Sequence, residues 1–505
     1  MRSPRKRKPA AATNAITIAL ARANDCTCVY YQPVPWPLRL QPRAAAWALG
    51  LAVALGLAGS VYRIPIQVSD ALETIERALT VPTVAASFAS GVGNSTTMLR
   101  PLREVRTKLL VDAADALGGR YHLAFRGYHA LAAVVLVLLF VAVAGPRTWG
   151  DVTALAFALA VLTGMHTFSG MFREAYPVNH FLTVSTYALA VFGLARSRGG
   201  WLADAAAVVC LGIALLTLES GVLVLVVAIA AVVSGSRGIS RAGLAAMAVV
   251  LVGYAYLRLG YLGMHTAGLG EHATGFWAAQ LSPSEQVERF GANPWPLYAY
   301  NVVMSAISVL LSQPTAGQWT VAEAWHDGGL SPVFVVEMGS SALTTALIAW
   351  YAFRRDEAGS RGWRDPVVVT CVALLGANAV VSWAYAKNEI IGTAGVFYAL
   401  AAYAAARAWL QRPPRWPAGV AIAMLALVST AWAVRDAGLH FKLRHTAFVS
   451  RSEWATELRP SERKDWPADP RRLEVVSRLK VEAIATQGPP PAQMPDWAEA
   501  WWGEE

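Results

Sequence analysis

A chain of 505 residues that is 55% hydrophobic and only 15% charged, with a mean hydropathy of +0.39, is too apolar for an ordinary soluble protein of that length. Its formal charge of +10 does not point to nucleic acid, because the basic residues sit at the N-terminus and in short loops between apolar runs, where the positive-inside rule places them. Four cysteines build no disulfide framework: Cys210 and Cys371 fall inside apolar runs, and Cys26 and Cys28 form a C-x-C with no neighbouring ligands to complete a metal site.

In chain order, residues 1–43 read as a basic cytoplasmic tail carrying Arg2, Arg5, Lys6, Arg7 and Lys8, without a small-residue cleavage site. Apolar runs then predict helices near 44–62, 128–145, 151–169, 180–196, 201–217, 220–235, 242–260, 334–353, 366–386, 390–409 and 416–434. That is an all-α polytopic membrane protein of about eleven transmembrane helices, with its membrane domain at 44–435. With the N-terminus cytoplasmic, the loops carrying Arg147, Arg196, Arg237, Arg354 and Arg407 all fall on the N-terminal side.

Two long outer loops result, 63–127 and 261–333. In the first, Val81 to Thr97 is small and turn-prone. An amphipathic stretch from Arg100 to Leu117 follows, with Leu102, Val105, Leu109 and Leu110 at helical spacing, and is expected to lie on the membrane surface. The second holds Pro283, Pro294, Pro296 and Pro314 with Trp277, Trp295 and Trp319, which suits an interfacial loop rich in turns. Its segment Leu297–Leu311 is read as re-entrant or interfacial, because a further crossing would carry the Arg354–Arg364 cluster to the outside. Residues 436–505 form a polar outer tail, with a short helix expected from Arg471 to Ile484 and a proline run at Pro489–Pro491.

Ionisable residues stand where a bilayer makes them costly, at about 2.5–3.5 kcal/mol for a charge at the centre of a span. Asp70 follows the first apolar run. Arg173 and Glu174 lie in a short loop, Glu219 divides two short apolar runs, Arg258 ends another, and Lys387 and Glu389 occupy a tight turn. The topology brings all of them to one outer surface. Carboxylates there can take a proton from an acceptor hydroxyl, and the cations can stabilise negative charge gathering on a departing phosphate.

The order of these features resembles the GT-C glycosyltransferases, and especially the branch containing protein O-mannosyltransferases and their transmembrane tetratricopeptide-repeat relatives. The likeness covers about Ala44 to Leu410. An acid after the first helix is matched by Ser69-Asp70, and an Arg-Pro motif leading a loop helix by Arg100-Pro101. A Gly-containing turn with a polar, His-bearing helix start is matched by Gly118-Gly119-Arg120-Tyr121-His122 and Arg126-Gly127-Tyr128-His129. A second outer acid corresponds to Glu174, a short-helix break to Leu216-Thr217-Leu218-Glu219, a helix-ending Arg to Tyr256-Leu257-Arg258, and a late charged motif to Ala386-Lys387-Asn388-Glu389.

Two features depart from the family: Ser69 stands where many relatives carry a second acid, and Lys387 where Arg is common. The charged tail also carries no tetratricopeptide repeats. The resemblance implies a GT-C-like membrane enzyme that moves a sugar from a polyprenyl-phosphate donor to a glycan, lipid or protein acceptor at the outer face of a bacterial cytoplasmic membrane. Asp70 is then the expected general base and Glu174 its assistant. Arg258, Lys387, Arg100 and Arg103 would hold the donor phosphate, with Glu219, Glu389 and His129 in support. The sequence requires no cofactor and leaves room for a divalent metal. The alternative from another class is a transporter or flippase of a lipid-linked glycan.

Overall fold

The computed structural model describes residues 41–68, 70–93, 98–174, 176, 178–265, 268–277, 279–311, 326, 332–355, 362–411, 418–456 and 470–485. The basic tail with Cys26 and Cys28, Ser69, Pro314 with Trp319, and the Pro489–Pro491 run lie outside them.

The described chain is helical apart from one hairpin. The elements are α1 (Pro42–Tyr62), α2 (Asp70–Thr80), α3 (Val84–Gly93), α4 (Pro101–Ala116), α5 (Tyr121–Ala144), α6 (Trp149–Gly164), α7 (His166–Arg173), α8 (His180–Ala195), α9 (Trp201–Leu215), a 3₁₀ turn (Glu219–Val222), α10 (Leu223–Val233) and α11 (Arg241–Ala255). After a π-helical turn (Tyr256–Tyr261) come β1 (Thr274–Phe276), β2 (Ala279–Leu281), α12 (Pro283–Phe290), α13 (Trp295–Leu311), α14 (Pro332–Phe353), α15 (Pro366–Val381), α16 (Gly392–Gln411), α17 (Ala418–Thr456) and α18 (Pro470–Ala485).

Among the described residues, five helices are long and apolar enough to cross a membrane: α1, α5, α11 with its π turn, α14 and α17. The pair α6 and α7, bent by 56° at Met165, makes a sixth if counted as one broken span. The chain is therefore a multi-pass, all-α membrane protein. The other apolar helices, α3, α8, α9, the 3₁₀ turn with α10, α13 and α15, are 10–17 residues long. Straight crossing of a ~30 Å core takes about 20 residues, so these helices do not meet that length on their own.

Several expectations are corrected. Within Val81–Thr97, residues 84–93 form a helix rather than turns, α3, whose Gly91 lies so close to α4 that an added Cβ would stand 2.5 Å from Cα of Pro101. The second long helix starts at Tyr121, seven residues before the apolar run, because Tyr121 and Phe125 are buried. Leu297–Leu311, by contrast, keeps its reading as a segment short of a crossing: it lies in the 17-residue α13, packed against α14 and α15 with Asn301, Ser305 and Ser308 fully buried. Finally, no proline interrupts the 39 residues of α17. It is one rod of ~58 Å at 1.5 Å per residue, so the span and the start of the polar tail are a single element.

Its far end founds a second core. Trp454, fully buried, donates from Nε1 to the carbonyl of Ile66 at 2.6 Å. Around it pack Leu72 and Ile75 of α2, Tyr121 and Phe125 of α5, and Val476 and Leu479 of α18. The helix α18, expected at Arg471–Ile484, is thereby fixed on the first loop, with Arg472 on Glu76 at 3.0 Å and the backbone N–H of His122 on Glu482 at 2.8 Å.

The 261–333 region also carries a small core. β1 and β2 pair antiparallel with Phe276 opposite Ala279, and Trp277 turns the hairpin with a φ of 54°. Phe276, Leu281, Phe290 and Leu297 are buried together, and α12 starts on a capping box between Ser282 and Glu285.

Candidate functional site

Most polar groups of the site stand at the start, end or break of a helix. Asp70 is the first residue of α2, where the partial positive charge of the helix start favours a carboxylate. Its side chain is exposed, and its own carbonyl accepts from Thr74 Oγ1 at 2.7 Å. Ala71, Leu72, Ile75, Ala78 and Leu79 form the buried face of α2, an apolar stripe at helical spacing that leaves Asp70 at the rim.

The Arg-Pro motif caps α4: Arg100 is the N-cap and Pro101 occupies the first turn, where its missing N–H costs nothing. The backbone N–H of Leu102 donates to Leu216 O at 3.0 Å. Arg106 donates to Thr183 Oγ1 at 2.9 Å and to Thr217 Oγ1 at 2.6 Å. The start of α4 is thus tied to the break between α9 and α10, and Arg100 meets Glu219 there through Nη2 at 2.8 Å and Nε at 3.0 Å. Arg258 approaches the other carboxylate oxygen at 3.9 Å, its direction set by the π-helical turn that ends α11.

At the end of α7, Gly170 lies against the 388–389 backbone, where a Cβ would stand 3.0 Å from Asn388 Cβ and Glu389 N. That approach brings Glu174 to the Lys387–Glu389 turn, whose own pair closes at 3.4 Å. The carboxyl of Glu174 is pushed up to about 7. Burial is the main cause; Glu389 and Asp70 add to it, while Lys387 and Arg103 oppose it. Lys387 is held above its usual value: burial works against its charge, and Glu389, Tyr385 and Glu174 outweigh that.

Arg103 joins the two halves. Its guanidinium lies 4.3 Å from the ring centroid of Tyr176 and 3.5 Å from Glu104. Burial raises the Tyr176 phenol, and Arg103, Asp70 and Glu174 all act on it. Beside Tyr176 opens a cavity of about 460 Å³ faced by Arg77, Met98, Arg100, Arg103 and Glu104. Among the described lining residues three cations stand against one carboxylate, which makes it a place for an anion.

The structure therefore brings together Asp70, Arg100, Arg103, Glu174, Glu219, Arg258, Lys387 and Glu389, from widely separated parts of the chain. Within this group the cavity is walled by Arg100 and Arg103, with Asp70 and Glu174 coupled alongside through Arg103 and Tyr176. His129 is not part of the gathering: it is fully buried, stacked 5.8 Å from Phe172, with Nδ1 3.3 Å from Arg126 Nη1.

Tyr176, Tyr385, Arg77, Glu104 and Arg106 are the polar groups that sequence reasoning missed. Tyr385 stacks on His272 at 4.3 Å, which attaches the hairpin region to the Lys387 turn, and its phenol is raised, chiefly by burial. Aromatics at helix ends read as membrane-interface anchors, so only their repeated position beside charged residues could have marked them. Among the described residues, no group of three or more His, Cys, Asp or Glu is placed to hold a metal. No family model, curated protein or solved structure matches this chain.

Proposed function

We propose that this protein transfers a sugar from a polyprenyl-phosphate donor to an acceptor hydroxyl, in an eleven-crossing arrangement with the Asp70 end of the bundle at the outer face of the cytoplasmic membrane. The observation that carries this reading is the convergence of Asp70 and Glu174 with Arg100, Arg103, Arg258 and Lys387 beside a cavity of about 460 Å³. Asp70, exposed at a helix start, is the general base for the acceptor. Arg100 and Arg103 receive the donor phosphate in the cavity. Glu219 aims the fork of Arg100, and Lys387 supplies further positive charge as the phosphate departs.

The test is sugar transfer by the purified protein in lipid, with a radiolabelled polyprenyl-phosphate sugar and a hydroxyl acceptor. Asp70→Asn keeps the shape and removes the base, so transfer is expected to fall by about 10²–10⁴-fold while donor binding persists. Equal turnover in both proteins removes Asp70 from the chemistry. Movement of intact glycolipid across the bilayer without product would replace the enzyme by a transporter.

A further inference from the structure

Behind the Glu174 and Lys387 segments lies a second cavity, of about 50 Å³, between the α6–α7 bend, α14 and α17. It is faced by His166, Arg173, Glu337, Asn388, Arg435 and Lys442. Among the described lining residues, three cations stand against one carboxylate. Arg435 is 7% exposed. It donates only through Nη1, to Glu337 O at 3.1 Å and to the hydroxyls of Ser340 and Ser341 at 2.9 Å each, with the Trp432 ring 4.0 Å beneath it. Its Nε and Nη2 reach no acceptor. Buried guanidinium donors without an acceptor are costly, and a phosphate oxygen is their best-matched partner.

The same seam carries a second feature. α14 and α17 run antiparallel: Arg435 meets Glu337, and Trp432 Nε1 donates to Thr344 Oγ1 at 2.9 Å. Ten residues further along each helix, ~15 Å away, an apolar groove of about 190 Å³ is walled by Phe157, Leu347, Trp350, Leu425 and Val428. Polar and apolar sites are thus spaced along one line, as the head and chain of an amphiphile are.

We infer that the seam between α6, α14 and α17 binds one anionic glycerophospholipid, its phosphate on Arg435 and Lys442 and an acyl chain along the Leu347–Leu425 groove. Basic pockets between membrane helices bind lipid head groups by this chemistry. The proposal is independent of sugar transfer, since neither the ligand nor the seam takes part in it.

The experiment measures lipid retained by the purified full-length protein from mixed micelles of phosphatidylglycerol and phosphatidylcholine, by native mass spectrometry. Wild type is expected to keep one phosphatidylglycerol and to prefer it at least tenfold over phosphatidylcholine. Arg435→Lys, which keeps the charge but loses the fork, and Leu347→Asn, which spoils the groove, should each weaken retention about tenfold. Equal retention of the two lipids by wild type overturns the proposal even if a variant fails to fold. Retention unchanged in both folded variants also overturns it, and so does inorganic phosphate alone raising the melting temperature as much as phosphatidylglycerol does, which would mean a free-anion site.

Discussion

At one end of the bundle Asp151 is fully buried and accepts from the backbone N–H groups of Arg147 at 2.8 Å and Thr148 at 3.0 Å, and Arg407 lies 2.7 Å away. At the other, Glu219 is half-buried between Arg100 at 2.8 Å and Arg258 at 3.9 Å, Asp70 is exposed, and Glu174 is held near neutrality. The residue types are the same. The first carboxylate is used up by a capping box and an ion pair that close the start of α6. At the second end the carboxylates are spread among several shared cations, Glu174 is raised chiefly by burial, and Arg77, Arg100 and Arg103 face a cavity with Glu104. An ion pair that completes a helix cap is a structural device, whereas a surplus of coupled charge at a cavity is what a site for a charged ligand requires.

The sharpest way to break that contrast is to remove one carboxylate at each end. Glu219→Gln loosens Arg100 and Arg258 together, and loss of one such preorganised electrostatic group typically costs about 10²-fold in rate. We expect kcat/KM for sugar transfer to fall on that scale, with a small change in stability. Asp151→Asn should do the reverse, losing on the order of 2 kcal/mol of stability with transfer per folded molecule nearly unchanged. Thermal melts and transfer assays on both variants check this; equal losses of stability with no loss of rate would make the Asp70 end as structural as the other.

A smaller effect separates the cations. Opposite charges 4 Å apart gain about 4 kcal/mol at an effective dielectric of 20, but Lys387 is half-exposed and already meets Glu389. Lys387→Ala is therefore expected to lower donor kcat/KM by about tenfold, and Arg103→Ala, which also removes the Tyr176 contact, by more. Donor kinetics for the two variants that show the opposite order would shift the phosphate toward Lys387.

The pH dependence follows from Glu174. A step that needs its carboxylate should slow about tenfold per unit below pH 7 and level off above. Glu389→Gln removes a contribution that raises Glu174 and should move the limb to lower pH; Lys387→Ala should move it higher. The sign for stability is set by the same shift. Because the folded state holds this proton more tightly than the unfolded chain, the protonated form's advantage is full below about pH 4.5 and is lost as pH rises through 7. Glu174→Gln should thus raise the melting temperature at pH 8 and leave it unchanged at pH 4.5.

How much of this contrast was legible in the sequence depends on what each feature rests on. Apolar runs marked the helices, and charged residues ending those runs marked the gathering at one end, because both are local properties of the chain. The hold on Arg106 was not visible, since its partners Thr183 and Thr217 are 77 and 111 residues away. Neither was α3, whose Gly, Ser and Val residues offset the propensity of its alanines and whose place comes from packing on Pro101. The bend at Met165 has no proline at the break, and the length of α17 is set by the second core around Trp454.

The mildest test asks which side of the membrane each end faces, and the choice of residue matters. Gly91 is too close to Pro101 to take a side chain, but at Gly93 an added Cβ meets nothing within 4 Å, so Gly93→Cys should change stability by less than about 0.5 kcal/mol. At the Asp151 end, Ser197 is exposed beside Arg196 and serves as the partner position. In a background with Cys26 and Cys28 replaced by Ser, a membrane-impermeant thiol reagent applied to intact cells should label Gly93→Cys and reach Ser197→Cys only after the cells are opened. The basic loops at the Ser197 end predict that order. The reverse would put Asp70 and the cavity in the cytoplasm. The difference between the two ends would survive, and the outer-face transfer would not.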